Sequence, residues 1–180
     1  MKLSRPARRA TLVVHVIGAA CWLGLTLGLV ALALALTAIT TDASAAVEAS
    51  VRSMKVFADW LVLPLALVTL VSGLVLSLGT QWGLARHRWV YTKFWLTLAT
   101  TLASAFALRP GVDESAATVS AGNPVTDTAG LIAGPLISLS AYLFMTVLSV
   151  LKPWGLTRRG QKQRASAHKR VDAGDVRQTA

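Results

Sequence analysis

Four long apolar stretches dominate this chain and restrict it to folds that live in a bilayer. They run from about Ala10 to Ile39, Phe57 to Leu78, Val90 to Leu108 and Ala129 to Leu151. Each is near or above the ~20 residues that a helix needs to cross the hydrocarbon core. Lipid offers no hydrogen-bond partners, so a crossing segment must satisfy its own backbone, and a helix does this within one segment. The sequence predicts an all-α, integral-membrane four-helix bundle over residues 1–155, followed by a basic tail, 156–180, without fixed structure. The first stretch exceeds what a crossing needs and is expected to tilt or project from the membrane. Composition agrees: 54% of residues are hydrophobic and 14% charged, with a mean hydropathy of +0.57. A soluble domain carries about a quarter charged residues.

The basic start, Met1–Arg9, followed by an apolar run and Ala43-Ser44-Ala45, has the outline of a signal peptide. The apolar run far exceeds the roughly 7–15 residues of a signal core, so it reads as a retained helix. The net charge of +10 raises the question of nucleic acid, but its distribution answers otherwise. Fifteen of the eighteen Lys and Arg fall before the first stretch, between the second and third or at the start of the third (Lys93), or after the fourth. Six of the eight acids, Asp42, Glu48, Asp59, Asp113, Glu114 and Asp127, fall on the opposite side. The positive-inside rule then places both termini in the cytoplasm of a bacterial inner-membrane protein and accounts for the basic charge without nucleic acid. The expected partners are the bilayer, with the tail near anionic headgroups, and a redox partner or a second copy. Pro110–Thr128 reads as a flexible external loop. Pro64 should kink the second helix. Trp60, Trp82, Trp89 and Trp154 lie near helix ends, where indoles favour the interface. Cys21 is the lone cysteine, so no disulfide framework is available. It reads as a small packing residue.

Each stretch carries a polar or small stripe at helical spacing. The first has His15, Gly18 and Trp22; the second Thr69, Ser72, Gly73 and Ser77. The third has Lys93, Thr97, Thr100, Thr101 and Ser104; the fourth Ser138, Tyr142, Met145 and Ser149. In membranes such faces turn inward, and packing explains most of these hydroxyls. Depth singles out a few. His15 lies about 8 Å inside the inner end of the first helix at about 1.5 Å per residue. Met145, Gly73 and Thr97 fall at similar depth in the other three. An ionisable residue in a crossing segment is a functional-site hypothesis by default. Imidazole and thioether are both axial haem ligands. The candidate cofactor site is thus His15 and Met145 on the iron of haem b, with Gly73 giving the ring room. Lys93 would pair with a propionate, and Trp22 and Thr97 would sit beside the ring. Alternatives stand beside it. His15 also reads as a structural histidine bonded to a hydroxyl such as Thr97, and Met145 as core filler. His87 reads as a solvated loop residue within reach of the site mouth, and His168 as a tail residue. Gly24-Leu25-Thr26-Leu27-Gly28 is a single GxxxG packing motif. Lys55 and Asp59 read as a surface i,i+4 pair. No catalytic triad, paired carboxylates, P-loop or zinc spacing is present.

Three short patterns combine in order. His15-x6-Trp22 resembles the H-x6-W of the first helix in the HemJ-type protoporphyrinogen oxidase family. Pro64-x4-Thr69-x3-Gly73 is similar to that family's second-helix pattern, and Trp89-x3-Lys93 to the W-x3-K that opens a later helix. Copper-resistance-D-like membrane proteins have similar first-helix histidines. The chain as a whole resembles a family of small, uncharacterised bacterial integral-membrane proteins related to both. The matched patterns lie within residues 15 to 93. The resemblance implies a membrane helical bundle with a b-type haem or porphyrin site, His15 as an axial ligand and Lys93 as a site residue. It does not extend to the oxidase activity, because the rest of that family's pattern has no match here.

Three functions compete. The first is a haem- or porphyrin-binding membrane protein in electron transfer or a porphyrin redox step, a haem-dependent oxidoreductase in the second case. The second is a non-catalytic subunit or assembly partner whose His15 only joins helices. The third is a copper-handling protein using His15, Met145 and Cys21. Cys21 lies about 120° around the helix from His15 at 100° per residue, which sets it apart from the other two.

Overall fold

The computed structural model of the chain describes residues 3–38, 44–80, 83–84, 86–125, 128–162 and 164–166. It is all-helical, and among these residues no β-strand forms; one isolated bridge joins His87 and Leu156. Helix α1 is Arg5–Ala38 and α2 is Ser44–Phe57. A π-helical turn, Ala58–Val62, leads without a break into α3, Leu63–Gly79. Helix α4 is Arg88–Ala103, and a second π-helical turn, Ser104–Leu108, leads into α5, Arg109–Ser120. Helix α6 is Thr128–Leu151. Trp82, Asp42, Asp127 and His168 lie outside the described residues.

Three helical segments are long and apolar enough to cross a membrane: Arg5–Leu36, Ala45–Gly79 and Thr128–Leu151. The fourth stretch expected from the sequence is helical but does not join them. Lys93, Thr97, Thr100, Thr101 and Ser104 dilute its hydrophobicity. The helices also run further than their apolar stretches. α1 has 34 residues, about 51 Å at 1.5 Å per residue. The second rod continues from Ser44, and the third to Ser120. Pro110–Thr128, expected as a flexible loop, is therefore helical as far as Ser120. Pro110 causes no stop because it sits in the first turn of α5, where a missing N–H costs nothing extra.

Both π-helical turns end two residues before a proline, Pro64 and Pro110. A proline lacks an N–H and crowds the carbonyl four residues back. Those carbonyls belong to Trp60 and Phe106, inside the two π-helical turns. A turn of i→i+5 bonding carries the ladder past the gap, as in Arg109 N–H donating to the Ser104 carbonyl. Near Pro64, where the sequence predicts a kink, the structure shows a local change of helical register with α-region dihedrals on both sides.

The helices pack as a ring, with α1 against α3 and α6, and α4 against the same two; α2 and α5 pair beyond one end. Gly18 lets α1 approach α3 closely: a Cβ there would meet Thr69 Oγ1 at 3.1 Å. The GxxxG glycines do less. Gly24 has nothing within 4 Å of such a Cβ, and Gly28 meets only the Phe57 ring at 3.8 Å. One end of the ring is filled by Leu29, Ala33, Val51, Met54, Ala58 and Val112. Lys55, Asp59, Arg109 and Asp113 form an ion-pair network there, so Lys55–Asp59 is part of a larger set linking the two rods. The other end holds the chain start, the connection before α4 and the tail. Leu3 N–H donates to the Gly79 carbonyl at 3.1 Å and Thr157 N–H to the Arg86 carbonyl at 2.9 Å. In the tail, a helical turn covers residues 158–162.

Candidate functional site

Between α1, α3, α4 and α6, toward the end that holds the chain start and the tail, lies a cavity of about 520 Å³. His15, Trp22, Gly73, Lys93, Thr97 and Met145 all line it. Helical spacing explains the convergence. His15 and Trp22 are seven residues apart on one face of α1, and Lys93 and Thr97 four apart on one face of α4.

The His15 imidazole lies over Gly73. A Cβ at Gly73 would stand 3.0 Å from its Cε1 and 3.4 Å from its Nδ1, so glycine is what admits the ring. Its Nδ1 is 3.1 Å from the Thr69 carbonyl oxygen and 3.0 Å from Ser72 Oγ. A carbonyl can only accept, and Ser72 spends its own proton on the Val68 carbonyl at 2.5 Å. Nδ1 therefore carries the proton and donates, which leaves the Nε2 lone pair of the neutral ring available. Donation by one ring nitrogen to a backbone carbonyl is the outer-shell arrangement that orients metal-binding histidines. A structural role was expected to use a hydroxyl such as that of Thr97; the hydroxyl partner is instead Ser72, beside the Thr69 carbonyl, both on α3.

Across the cavity, Thr97 Oγ1 donates to the Lys93 carbonyl at 2.8 Å and approaches Met145 Sδ at 3.3 Å. Lys93 Nζ donates to Ser149 Oγ, which in turn donates to the Met145 carbonyl at 2.8 Å. Among the described residues the cavity has no carboxylate, and Lys93 has none as a salt-bridge partner. Trp22, 3% exposed, packs on Tyr142 with ring centroids 4.5 Å apart. The Tyr142 hydroxyl sits among those of Thr26, Thr100, Ser104 and Ser138. Sequence reasoning placed Tyr142 on the right stripe but gave it no role; the H-x6-W spacing that aims Trp22 at it was the available signal.

Other candidates lie elsewhere. Cys21 is exposed rather than packed and does not line the cavity. His87 is held beside the tail by its bridge to Leu156 and does not line the cavity either. Among the described residues no three His, Cys, Asp or Glu side chains gather in a metal-binding group.

No protein-family model, curated protein or solved structure matches this chain.

The residues present fit a haem on three counts. An imidazole and a thioether, both recognised axial donors, line one cavity. The imidazole has its second nitrogen engaged. Gly73 makes room for that imidazole, whose Cε1 stands 3.0 Å from where a Cβ would lie.

Proposed function

We propose that the chain is a four-helix inner-membrane protein that binds haem b or a related porphyrin for electron transfer or a porphyrin redox step. The observation that carries this reading is a Nδ1-bonded histidine on the wall of an apolar cavity that also holds a methionine and a lysine. In this reading His15 is an axial ligand through Nε2 and Met145 the second ligand. Lys93 binds a propionate. Trp22, Thr97 and Gly73 shape the walls. Haem, when bound, supplies one-electron chemistry; the protein supplies ligands, burial and charge. The resemblance to the HemJ-type family agrees with it at His15 and Lys93.

The fourth crossing in this reading is α4 with its π-helical turn. Tyr91, Trp95, Leu102 and Phe106 are exposed along it, Phe106 by 77%, as a lipid-facing surface would be. The polar residues that lower its hydropathy turn inward: Thr97, Thr100, Thr101 and Ser104 are all buried. Both termini are cytoplasmic because the basic residues gather at their end, while Glu48, Asp59, Asp113 and Glu114 lie on α2, the first π-helical turn and α5. With Cys21 replaced, cysteines introduced at Ser44, Ser120 and Ser166 test this. An impermeant reagent applied to intact cells should label the first two only; labelling of Ser166 alone contradicts the topology.

A second reading has its own observation. The His15–Ser72 bond joins α1 to α3, which is all that a structural histidine needs to do. Absorption spectra separate the two. Protein from haem-replete cells, or protein titrated with haemin, should show a Soret band and reducible α and β bands. His15→Ala should lose the iron-bound signal while still inserting. Met145→Ala should keep haem with a changed potential or spin state, and Lys93→Ala should retain it less firmly. Wild-type protein that takes up no haemin supports the structural reading. A copper site built from His15, Met145 and Cys21 is disfavoured, because Cys21 faces away from the cavity.

A further inference from the structure

The cavity has an open side. On α1, Leu12, Val16 and Ala20 line it and are also exposed on the outside of the ring; on α6, Thr146 and Val150 do the same. The exposure is large, 48% for Leu12, 56% for Val16 and 74% for Val150. Steps of four residues set each group in one row along its helix. Two rows that share a cavity and an outer surface are the lips of a slot between α1 and α6. Two of the other flanks are tied by side-chain bonds. His15 bonds to Ser72 between α1 and α3. Lys93 and Thr97 reach Ser149 and Met145 between α4 and α6. Trp22 on Tyr142 closes the slot toward the filled end. Both lips belong to segments apolar enough to cross a membrane, so the slot faces lipid.

Charge then selects what enters. Lys93 brings an ammonium into an otherwise apolar enclosure, where a charge without an opposite charge is costly. It donates to the Ser149 hydroxyl, which is neutral, and the cavity wall has no carboxylate among the described residues. An acid from outside the chain completes the pair.

We propose that the cavity takes a carboxylate-bearing apolar molecule directly from the bilayer, through the α1–α6 slot, and holds its carboxylate on Lys93. This rests on the reading of the cavity as a ligand site and names how and in what form the ligand arrives. Haem with its propionates is one member of the class and a free fatty acid another.

The test uses the full chain in phosphatidylcholine nanodiscs, with spin-labelled stearic acid and its methyl ester as probes. Wild-type protein should immobilise the acid at least tenfold in preference to the ester. Lys93→Met should abolish that preference and Lys93→Arg keep it, with circular dichroism confirming that each variant is folded. The pair Ala20→Phe and Thr146→Phe, at exposed positions and with the same check of folding, should slow uptake at least tenfold. Equal immobilisation of acid and ester by wild type overturns the role of Lys93. Unchanged uptake in the plugged variant overturns the slot. Haemin uptake followed in parallel keeps the two ideas apart. Immobilised acid without a haemin Soret shift removes the haem reading and leaves this one. A haemin Soret shift with no acid preference and no effect of the plug does the reverse.

Discussion

Where α1 and α6 meet α2 and α5, side chains fill the interior; where the same two helices meet α3 and α4, they leave a cavity of about 520 Å³. The filled half has Leu29, Val51, Met54 and Val112 within 1% of complete burial and an ion-pair network on its surface. The hollow half has His15, Lys93 and Thr97 on its walls, each bonded across a helix boundary. The filled half extends beyond the length a bilayer needs. Its helices α2 and α5 carry Glu48, Arg52, Asp113 and Glu114, which suits a cap in water, where apolar burial drives packing. In lipid that driving force is absent, and association rests on close fit and interhelical bonds. The hollow half uses both, at Gly18 on Thr69 and at His15 on Ser72. Stability concentrates in one half, and the other is free to keep space for a ligand.

The largest expected difference follows from that division. Met54 is fully buried at 0% exposure, and Met54→Ala should cost about 2–5 kcal/mol through lost contacts and a new void. Leu74→Ala enlarges a void that already exists and should cost well under half as much. Unfolding in mild detergent, followed by circular dichroism, compares the two. Equal losses would remove the distinction between the halves.

A smaller effect sharpens it. Gly73→Leu forces the His15 ring to move, because even the first added carbon stands 3.0 Å from Cε1. Overpacking of this kind costs about 1–3 kcal/mol. Haemin titration should weaken at least tenfold, since the ring that offers Nε2 is displaced. Gly24→Leu, on the same bundle but with nothing within 4 Å of a new Cβ, should leave both stability and titration unchanged. If Gly24→Leu proves as damaging, the specific pairing of Gly73 with His15 is not the cause.

Much of the hollow half was legible before the structure. Helical periodicity and equal depth bring His15, Gly73, Thr97 and Met145 to one layer, because both depend only on spacing along a rod. The filled half was not legible, because hydropathy marks where a helix enters lipid and is silent on where it ends. Ser44–Phe57 and Arg109–Ser120 are amphipathic, with charges on one side and Val51, Met54 and Val112 on the other. Pro110 and the nearby Gly111 disguised the second as a loop. The partner of His15 also escaped the sequence. Thr97 and Ser72 share the inward stripe, and the choice between them depends on how α1 rotates against α3, which Gly18 and Gly73 set together. The cavity wall itself needs all four helices, so its open side could not be read from any one of them.

The smallest expected effect is at the tail, and it asks whether the hollow half is tied at its end as the filled half is. Thr157 Oγ1 donates to the Arg86 carbonyl at 3.2 Å and accepts from Gly160 N–H at 3.1 Å. Gly160 lies so close that a Cβ would meet the Arg86 carbonyl oxygen at 2.5 Å. This strap crosses the segment that leads into α4, next to Leu84 and Trp89 on the cavity wall. Thr157→Val removes both side-chain bonds and keeps the backbone bond from Thr157 N–H. Net hydrogen bonds contribute about 0.5–1.5 kcal/mol each, so the strap should open about tenfold more often, roughly 1.4 kcal/mol. Opening is local, because the strap lies at the end opposite the filled half. Amide exchange at residues 155–162 should therefore speed up about tenfold, while the unfolding midpoint and exchange in α2 stay fixed. Acceleration that spread to α2 would mean the two halves unfold as one cooperative unit, and the comparison drawn from their packing would fail.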